Sequence, residues 1–215
     1  MLEFTVEDLS DADVARLRGI YEPLTESVRS LVDATIRTKA DAQTIAEVKR
    51  DIDTALARLQ ARQLDGAFGV RVTTSGESMG WGNAVIGIRN ALAPPLMTSR
   101  DADGRVSAEF CLGAAYEGPP GHVHGGVAAM ILDHVLGEAA SVDRQPRFTG
   151  TITMRYVRPT RLGELRTEAI RLRTDGVKTY CVGHIADAEG ITVEAEGVTV
   201  EAEGVFITPR WLRNS

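Results

Sequence analysis

Residues 118–137 read Gly-Pro-Pro-Gly-His-Val-His-Gly-Gly-Val-Ala-Ala-Met-Ile-Leu-Asp-His-Val-Leu-Gly, a glycine-rich loop that runs into an almost wholly apolar stretch. Residues 127–140 are apolar on nearly every side of a helical projection, which predicts a helix buried on most of its faces. This run has only 14 residues and contains Asp133, His134 and Glu138, so it is too short and too polar to span a bilayer. We therefore predict a loop that leads into one central, buried helix.

The sequence on both sides of this helix alternates with a period of two. Before it, one face of a predicted strand carries Val106, Ala108, Phe110, Leu112 and Ala114. After it, we predict strands near residues 148–158, 163–173, 177–187 and 191–207, with hairpin turns at Asp175-Gly176 and Glu189-Gly190. This order of elements predicts an α+β fold in which an antiparallel sheet wraps around one central helix.

One segment near the C-terminus is duplicated. Residues 192–198, Thr-Val-Glu-Ala-Glu-Gly-Val, are repeated without change as residues 199–205. The period of seven is odd, so in a regular strand the second copy would present the opposite face to the sheet. We therefore expect a bulge or an extra turn at Gly197.

The N-terminal part of the chain has a helical pattern over residues 5–63. Two apolar stripes at helical spacing are expected to cover a core or a partner subunit, and their members are Leu24, Val28, Leu31, Val32 and Ile36, then Ile45, Val48, Ile52, Leu56 and Leu59. Asp41 is the expected N-cap of the second helix. We divide the chain into an N-terminal helical extension (1–65), a Gly/Pro-rich linker with a short strand near 84–88 (66–96), and the main domain (97–215).

Charge and cysteine content exclude several classes of function. The 24 basic and 30 acidic side chains give a net charge of −6, which disfavours nucleic acid as a partner. Between residues 144 and 178, however, nine basic residues are opposed by only three acidic ones, a local excess that is expected to attract a small polyanion. The two cysteines form no Cys-x-x-Cys, so the sequence shows no cysteine zinc site. The acidic N-terminus does not resemble a signal peptide. We expect a cytoplasmic protein that does not associate with membranes.

Two groups in the central segment are suited to chemistry. The first turn of a helix offers unpaired N–H groups and the positive end of the helix dipole, which can hold an oxyanion. A carboxylate in an apolar helix, as at Asp133, is costly without partners and therefore indicates function. Asp133 follows His124 by nine residues, a rise of about 13 Å along a helix. One carbonyl cannot contact both groups of one helix, so we predict a two-fold dimer with shared sites if both groups are catalytic.

The sequence from about Asn90 to Ile207 resembles the hotdog-fold acyl-coenzyme A thioesterases, in their phenylacetate-degradation and mitochondrial branches. Three motifs carry the resemblance, namely residues 90–96 (Asn-Ala-Leu-Ala-Pro-Pro-Leu), residues 118–126 together with Asp133, and residues 158–163 (Arg-Pro-Thr-Arg-Leu-Gly). It covers a little over half of the chain and none of the N-terminal helices. The resemblance implies a hotdog fold, hydrolysis of acyl-coenzyme A without a metal or redox cofactor, and a homodimer that could pair further into a dimer of dimers.

The resemblance also implies roles for particular residues. The N–H of Gly125 would polarise the thioester carbonyl, and Asp133 from the other chain would act as general base or as nucleophile. Thr149 is the hydroxyl residue expected beside Asp133, with Thr151 as the alternative because alternation puts both on one face. His124 is expected to shape the turn by hydrogen bonding.

Further positions are implied to contact the substrate. Arg158 lies in the motif that relatives place near the coenzyme A phosphates, and the other predicted contacts are Gly126, Arg155, Arg161 and Lys178. Some branches carry Asn or Gln six residues before the motif histidine as a second polarising group, and here that position is Gly118.

Other functions stay open at this stage. A metal site at His122, His124 and Asp133 lacks a further ligand at standard spacing, and the loop lacks the Gly-Lys-Ser/Thr ending of a nucleotide cradle. A hotdog dehydratase or hydratase would need His122 or His134 as its catalytic histidine. A non-catalytic acyl-coenzyme A-binding module would retain Asp133 as a structural acid.

Overall fold

The computed structural model describes residues 5–141, 146–192 and 195–212. The chain divides into two compact units, one that ends at Ala91 and one that begins at Leu92. This division differs from the three segments predicted from the sequence, because residues 66–91 belong to the first unit instead of forming a separate linker.

The first unit combines two long helices with a small sheet. Its elements are β1 (Thr5–Glu7), α1 (Asp11–Arg37), α2 (Ala42–Gln60), β2 (Arg71–Thr73) and β3 (Ser78–Met79). The sheet order is β1-β2-β3, in which β1 is parallel to β2 and β2 is antiparallel to β3. The expected N-cap is confirmed, since the Asp41 carboxylate accepts a hydrogen bond from the Thr44 N–H at 2.8 Å. The helical pattern over residues 5–63 gave no sign of β1.

The core of the first unit is small. Val14, Met79 and Trp81 are buried, and the partly buried side chains packed against them are Leu9, Leu17, Tyr21, Phe68 and Ile88. The strand expected near residues 84–88 is wrong, because these residues form turns. The Asn83 side chain accepts hydrogen bonds from the N–H groups of Val85 and Ile86, which fixes a turn where strand pairing was expected.

The second unit is a six-stranded antiparallel sheet with one long helix packed on it. Its elements are β4 (Ser99–Arg100), β5 (Val106–Leu112), α3 (Gly125–Ala140), β6 (Phe148–Tyr156), β7 (Gly163–Asp175), β8 (Lys178–Thr192) and β9 (Ala195–Ile207). The strand order is β4-β5-β7-β8-β9-β6, and every neighbouring pair is antiparallel. The predicted α+β architecture, the hotdog arrangement of sheet and central helix, is therefore confirmed.

The core of this unit lies between α3 and the sheet. The face of α3 that packs on the sheet is buried and consists of Ala128, Ile131, Leu132, Val135, Leu136, Ala139 and Ala140. The alternation predicted for β5 is confirmed, since Val106, Ala108, Phe110 and Leu112 are buried, whereas Ala114 has left the strand for a short 3₁₀ turn. Strand β6 follows α3 in sequence but lies at the sheet edge, where it pairs with β9 alone among the described strands.

The last hairpin differs from its prediction. The turn expected at Glu189-Gly190 is wrong, because β8 continues to Thr192, which pairs with Ala195 of β9. The pairing is irregular at Gly197, as expected, but the extra residues belong to β8, because Ala186 pairs with Val198 and Ile191 with Glu196. Gly197 has a φ of +69°, and the pairing register shifts between Ala186 and Ile191 of the opposite strand.

Candidate functional site

The loop before α3 is fixed around His124. The His124 N–H donates to the Tyr116 carbonyl at 2.9 Å, and its imidazole Nδ1 accepts from the Gly126 N–H at 3.0 Å. His124 is thus the N-cap of α3, the position at which a side-chain acceptor satisfies a free amide of the first turn. The Gly126 N–H, predicted as a substrate contact, is therefore engaged within its own chain.

The first residue of α3 presents an open donor. The Gly125 N–H has no hydrogen-bond acceptor within the part of the chain that the structure describes, and it lies at the positive end of the helix. The Tyr156 hydroxyl donates to the Gly125 carbonyl at 3.0 Å. A Cβ at residue 125 would lie 3.3 Å from the Tyr156 ring, so glycine permits this close approach. The helix tip can accept an oxyanion at Gly125.

The second polarising group that some relatives carry would have no room in this loop. At Gly118, where some relatives carry Asn or Gln, a Cβ would lie 2.8 Å from the His124 Cα and 3.2 Å from its ring Cδ2. The cap residue His124 therefore occupies the space that a longer side chain at residue 118 would need.

Asp133 lies eight residues after Gly125, about 12 Å further along α3. The Thr149 hydroxyl donates to Asp133 Oδ1 at 2.7 Å, so the structure brings these two predicted residues together. Asp133 is only partly buried, and its second carboxylate oxygen is available to a water or a substrate. The contact fixes the carboxylate toward β6.

The alternative residue Thr151 does not share this face. Thr149 is paired with Phe206 and Thr151 with Val205, which are consecutive residues of β9, so a register shift at Gly150 separates the two threonines. Residues opposite each other in an antiparallel pair point to the same side, which places Thr149 on the α3 side and Thr151 on the outer side. The expectation that both lie on one face is wrong, because it assumed a regular strand and the period-two pattern gives no sign of an inserted residue.

The predicted phosphate contacts are dispersed. Arg158 donates to both carboxylate oxygens of Asp187, at 2.9 and 2.5 Å, and Asp187 is only 6% exposed. Arg155 forms an exposed ion pair with Glu201. Lys178 is exposed and opposite Ile207 on β9, whereas the Arg158 N–H bonds Thr199 of that strand.

Eight residues along a strand correspond to about 26 Å, so Arg158 and Lys178 of one chain cannot hold the same phosphate. Arg161, the fourth candidate, donates its backbone N–H to Asp187 at 3.3 Å and so lies on the Arg158 side of the sheet.

The two other histidines of this region, His134 and His122, differ in their surroundings. His134 is largely buried, and burial lowers the pKa of its imidazole against the opposing effect of Glu138 and Asp133. Its Nε2 has no partner among the described residues. His122 places its Nδ1 2.8 Å from the Pro120 carbonyl. Within the described ranges, no group of three or more His, Cys, Asp or Glu side chains is arranged to hold a metal ion.

Sequence reasoning missed two residues that shape this region. Tyr156 donates its hydroxyl to the first residue of α3, and no sequence signal distinguishes it from other strand tyrosines. Asp187, the partner of Arg158, lies 29 residues further along the chain, a separation at which sequence offers no pairing rule. None of the helices described here is long and apolar enough to cross a membrane.

Comparisons with known proteins agree with this architecture. A family model described as the thioesterase superfamily matches residues 120–194, which contain most of the loop, α3 and strands β6 to β8. No curated protein has a significant sequence match.

Among solved structures, a thioesterase superfamily protein is 33% identical, with 87% of this chain and 90% of that chain covered and a TM-score of 0.74. The PaaI protein of the E. coli phenylacetic acid degradation operon is 13% identical, with 54% and 80% covered and a TM-score of 0.48. A putative thioesterase from Ralstonia eutropha JMP134, related to phenylacetic acid degradation, is 19% identical, with 53% and 84% covered and a TM-score of 0.45. The 33% identity across most of both chains shows that this chain belongs to the thioesterase superfamily.

Proposed function

We propose that the protein hydrolyses acyl-coenzyme A thioesters to a free acid and coenzyme A. The observation that carries this proposal is the Asp133 carboxylate, which is partly exposed on a mostly apolar helix and fixed by the Thr149 hydroxyl. A carboxylate oriented by one hydrogen bond and open on its other side is suited to activating a water molecule. Membership of the thioesterase superfamily supplies the reaction class.

The second group is the Gly125 N–H of another chain. Asp133 would take a proton from water as the water oxygen attacks the thioester carbonyl carbon, and the resulting oxyanion would be held by Gly125. Collapse of the tetrahedral intermediate breaks the carbon–sulfur bond, and the departing thiolate of coenzyme A takes up the proton. No resident cofactor takes part in these steps, and we propose a cytoplasmic location for them.

A two-fold dimer in which two copies of β6 pair would bring these two groups together. Thr149, near one end of β6, contacts Asp133, whereas Tyr156, at the other end, contacts Gly125. If the free edge of β6 pairs antiparallel with β6 of a second copy, Thr149 of each chain comes opposite the Tyr156 position of the other. The Asp133 carboxylate of one chain would then approach the helix tip of the other.

The exposed apolar side chains of this edge favour such pairing. Phe148, Tyr156 and Val157 are 43–54% exposed, and an open strand edge of this kind is normally covered. A dehydratase would need an imidazole directed at the substrate, whereas His134 is largely buried and His122 contacts a carbonyl of its own loop. These placements favour hydrolysis over dehydration.

The first experiment measures the release of free thiol from acyl-coenzyme A substrates of increasing chain length. We expect Asp133→Asn to lower kcat by a factor of about 10²–10⁴, the range for loss of a general base. The exposed Asp175→Asn, at the last residue of β7, is the matched control and should retain full activity. Tight binding of acyl-coenzyme A without thiol release by the native protein would identify a binding module instead.

Complementation tests whether the site is shared. Gly125 is the first helical residue, and the extended backbone of His124 (ψ 132°) is compatible with a following proline, so Gly125→Pro removes the N–H and keeps the helix. Gly125→Ala, whose Cβ makes the same 3.3 Å approach to the Tyr156 ring but which retains the N–H, is its matched control. Gly125→Pro and Asp133→Asn should each be inactive alone. A randomly reassorted mixture of Gly125→Pro and Asp133→Asn chains should regain about a quarter of the native activity, because half of the dimers contain one intact site. A mixture that stays inactive would contradict a shared site.

A further inference from the structure

The first unit contains a groove between α1 and the C-terminal end of α2. Its volume is about 1010 Å³, within the range of sites that enclose a small molecule. The apolar part of its lining consists of Tyr21, Leu24, Leu59, Leu64 and Phe68. This groove is separate from the candidate hydrolytic site, all of whose residues belong to the second unit.

Each of the two helices contributes one residue of its apolar stripe to the groove lining, Leu24 from α1 and Leu59 from α2, and the exposed apolar side chains of both stripes are together called the trough. Leu24 shares its stripe with Val28 and Ile36 on α1, and the stripe of α2 runs from Leu59 back to Ile45. The apolar side chains of these stripes that remain exposed are Leu24, Val28, Ile36, Ile45, Val48, Ile52, Leu56 and Leu59, at 37–53%. From Leu59 to Ile45 the trough extends over about 21 Å.

No described residue of the first unit covers the trough. Helix α2 has no buried residue, although an isolated helix of this length is marginal in water and usually depends on packing of its apolar face. Exposed contiguous apolar surface of this kind marks a binding site. A ligand with an apolar chain would cover both stripes.

Positive charge is concentrated at the groove end of the trough. Arg58, Arg62 and Arg89 line the groove, and no acidic side chain of the described first unit lines it with them. The guanidinium groups of Arg58 and Arg62 have no hydrogen bond or ion pair with another described residue of the chain. In a protein of net charge −6, this local positive charge is complementary to an anion.

Arg89 is held in place by aromatic rings. Its guanidinium carbon lies 3.8 Å from the centroid of the Tyr21 ring and 5.0 Å from that of Phe68. The Phe68 ring in turn stacks on Trp81, with centroids 6.1 Å apart and planes inclined by 18°. Cation–π contacts orient the guanidinium while leaving its N–H groups free to donate. The charged end of the groove is therefore preorganised.

We propose that this groove binds an amphipathic anion. The apolar chain of the ligand lies in the trough between α1 and α2, and its anionic head, a carboxylate or a phosphate monoester, is held by Arg58, Arg62 and Arg89. The uncompensated positive charge favours such a ligand over a second copy of the same helices, which the stripes alone would also accept. This site does not depend on the proposed hydrolysis.

The test uses the full chain and three probes with the same twelve-carbon chain. Dodecanoate, dodecyl phosphate and uncharged dodecan-1-ol, each below its aggregation limit, are titrated by calorimetry and by tryptophan emission. The emission reports on the groove because Trp81 stacks on Phe68, which belongs to the groove lining. We expect at least one of the two anions to bind at least tenfold more tightly than the alcohol. The tighter of the two anions identifies the head group.

Matched variants locate the site. Arg58→Gln combined with Arg62→Gln should weaken binding of the anion at least tenfold, and Arg62→Gln alone should weaken it less. Arg50→Gln, on α2 but outside the groove lining, should bind like the native chain. All of these side chains are exposed, so folding is expected to be preserved and is checked by circular dichroism.

Three results would overturn the proposal. The first is that dodecan-1-ol binds as tightly as the anions, and the second is that the double variant binds the anion as tightly as the native chain. The third is that the native chain binds neither anion, while sedimentation shows that it self-associates and that Leu56→Lys abolishes the self-association. The last result would identify a second copy of the chain as the occupant. None of the probes contains a thioester, so the outcome is independent of whether Asp133 catalyses hydrolysis.

Discussion

Replacing Arg158 with methionine tests whether its guanidinium holds the fold or the coenzyme A phosphates. Two of its nitrogens donate to the two carboxylate oxygens of Asp187, and one also donates to the Gly197 carbonyl at 3.0 Å. The Asp187 side chain is 4% exposed and the Arg158 side chain 31%. Methionine preserves much of the aliphatic stem but leaves a carboxylate buried without its cation.

The magnitude follows from this burial. Removing one partner of a buried ion pair costs about 3–5 kcal/mol, because the remaining charge is left uncompensated in a low dielectric. Arg158 is partly exposed, and the backbone N–H of Arg161 continues to donate to Asp187, so we expect the lower end, about 3 kcal/mol. This corresponds to a fall in Tm of roughly 6–12 °C for a chain of this size. The double variant with Asp187→Asn should lose less than the sum of the single changes.

The assay combines urea unfolding with steady-state kinetics on one acyl-coenzyme A. We expect Arg158→Met to lower the free energy of unfolding with less than a twofold change in KM. Arg155→Met is the matched control, since its ion pair with Glu201 is exposed and should contribute less than about 1 kcal/mol. A tenfold rise in KM with an unchanged unfolding midpoint would refute the structural role and assign Arg158 to the substrate.

Three further predictions concern single side chains. Thr149→Val should lower kcat about tenfold at nearly constant stability, as measured by thiol release and thermal unfolding, because it frees the carboxylate of the candidate catalytic aspartate. Burial lowers the pKa of His134, so between that pKa and about 6.5 the unfolded chain binds more protons than the native chain. The free energy of unfolding should therefore fall as the pH falls through this window. Chemical denaturation at several pH values should show this fall in the native protein and a flatter dependence in His134→Gln. Burial raises the pKa of Cys181 to about 11, so at pH 8 a disulfide reagent should modify exposed Cys111 in the native protein and Cys181 only on unfolding; Cys111 should itself react more slowly than free cysteine, since burial and Glu164 raise its pKa.

The parts of the fold that were predictable from the sequence are those in which burial follows a regular period. Phe110 and its neighbours alternate because β5 buries one face, and residues 127–140 are apolar because α3 is enclosed by the sheet. The departures arise where the backbone leaves that period. Gly150 introduces a bulge that separates Thr149 from Thr151, and alternation contains no information about an inserted residue.

Pairing between distant residues was beyond the reach of sequence reasoning. The basic excess between residues 144 and 178 indicated an anion site, but the structure pairs individual members of that excess with acids from the segment that follows, Arg158 with Asp187 and Arg155 with Glu201. The net charge of a region can be counted from the sequence. Which acid pairs with which base depends on the register between strands, and the sequence does not specify that register. The hairpin turn predicted at Glu189-Gly190 was wrong because the pairing of β8 with β9 extends to Thr192, which also depends on strand register.

The two candidate functional residues of α3, Gly125 and Asp133, both form hydrogen bonds with β6, so the proposed site depends on an edge strand. Tyr156 fixes the helix tip at Gly125 and Thr149 fixes Asp133, so a change in the register of β6 would move both residues together. Within one chain these residues are about 12 Å apart and cannot contact one carbonyl. Antiparallel pairing of two β6 edges is the simplest operation that exchanges the two ends, because it places each Thr149 against the other chain's helix tip. Assembly and catalysis would then depend on the same strand, so variants that block the β6 edge should lose activity and dimerisation together.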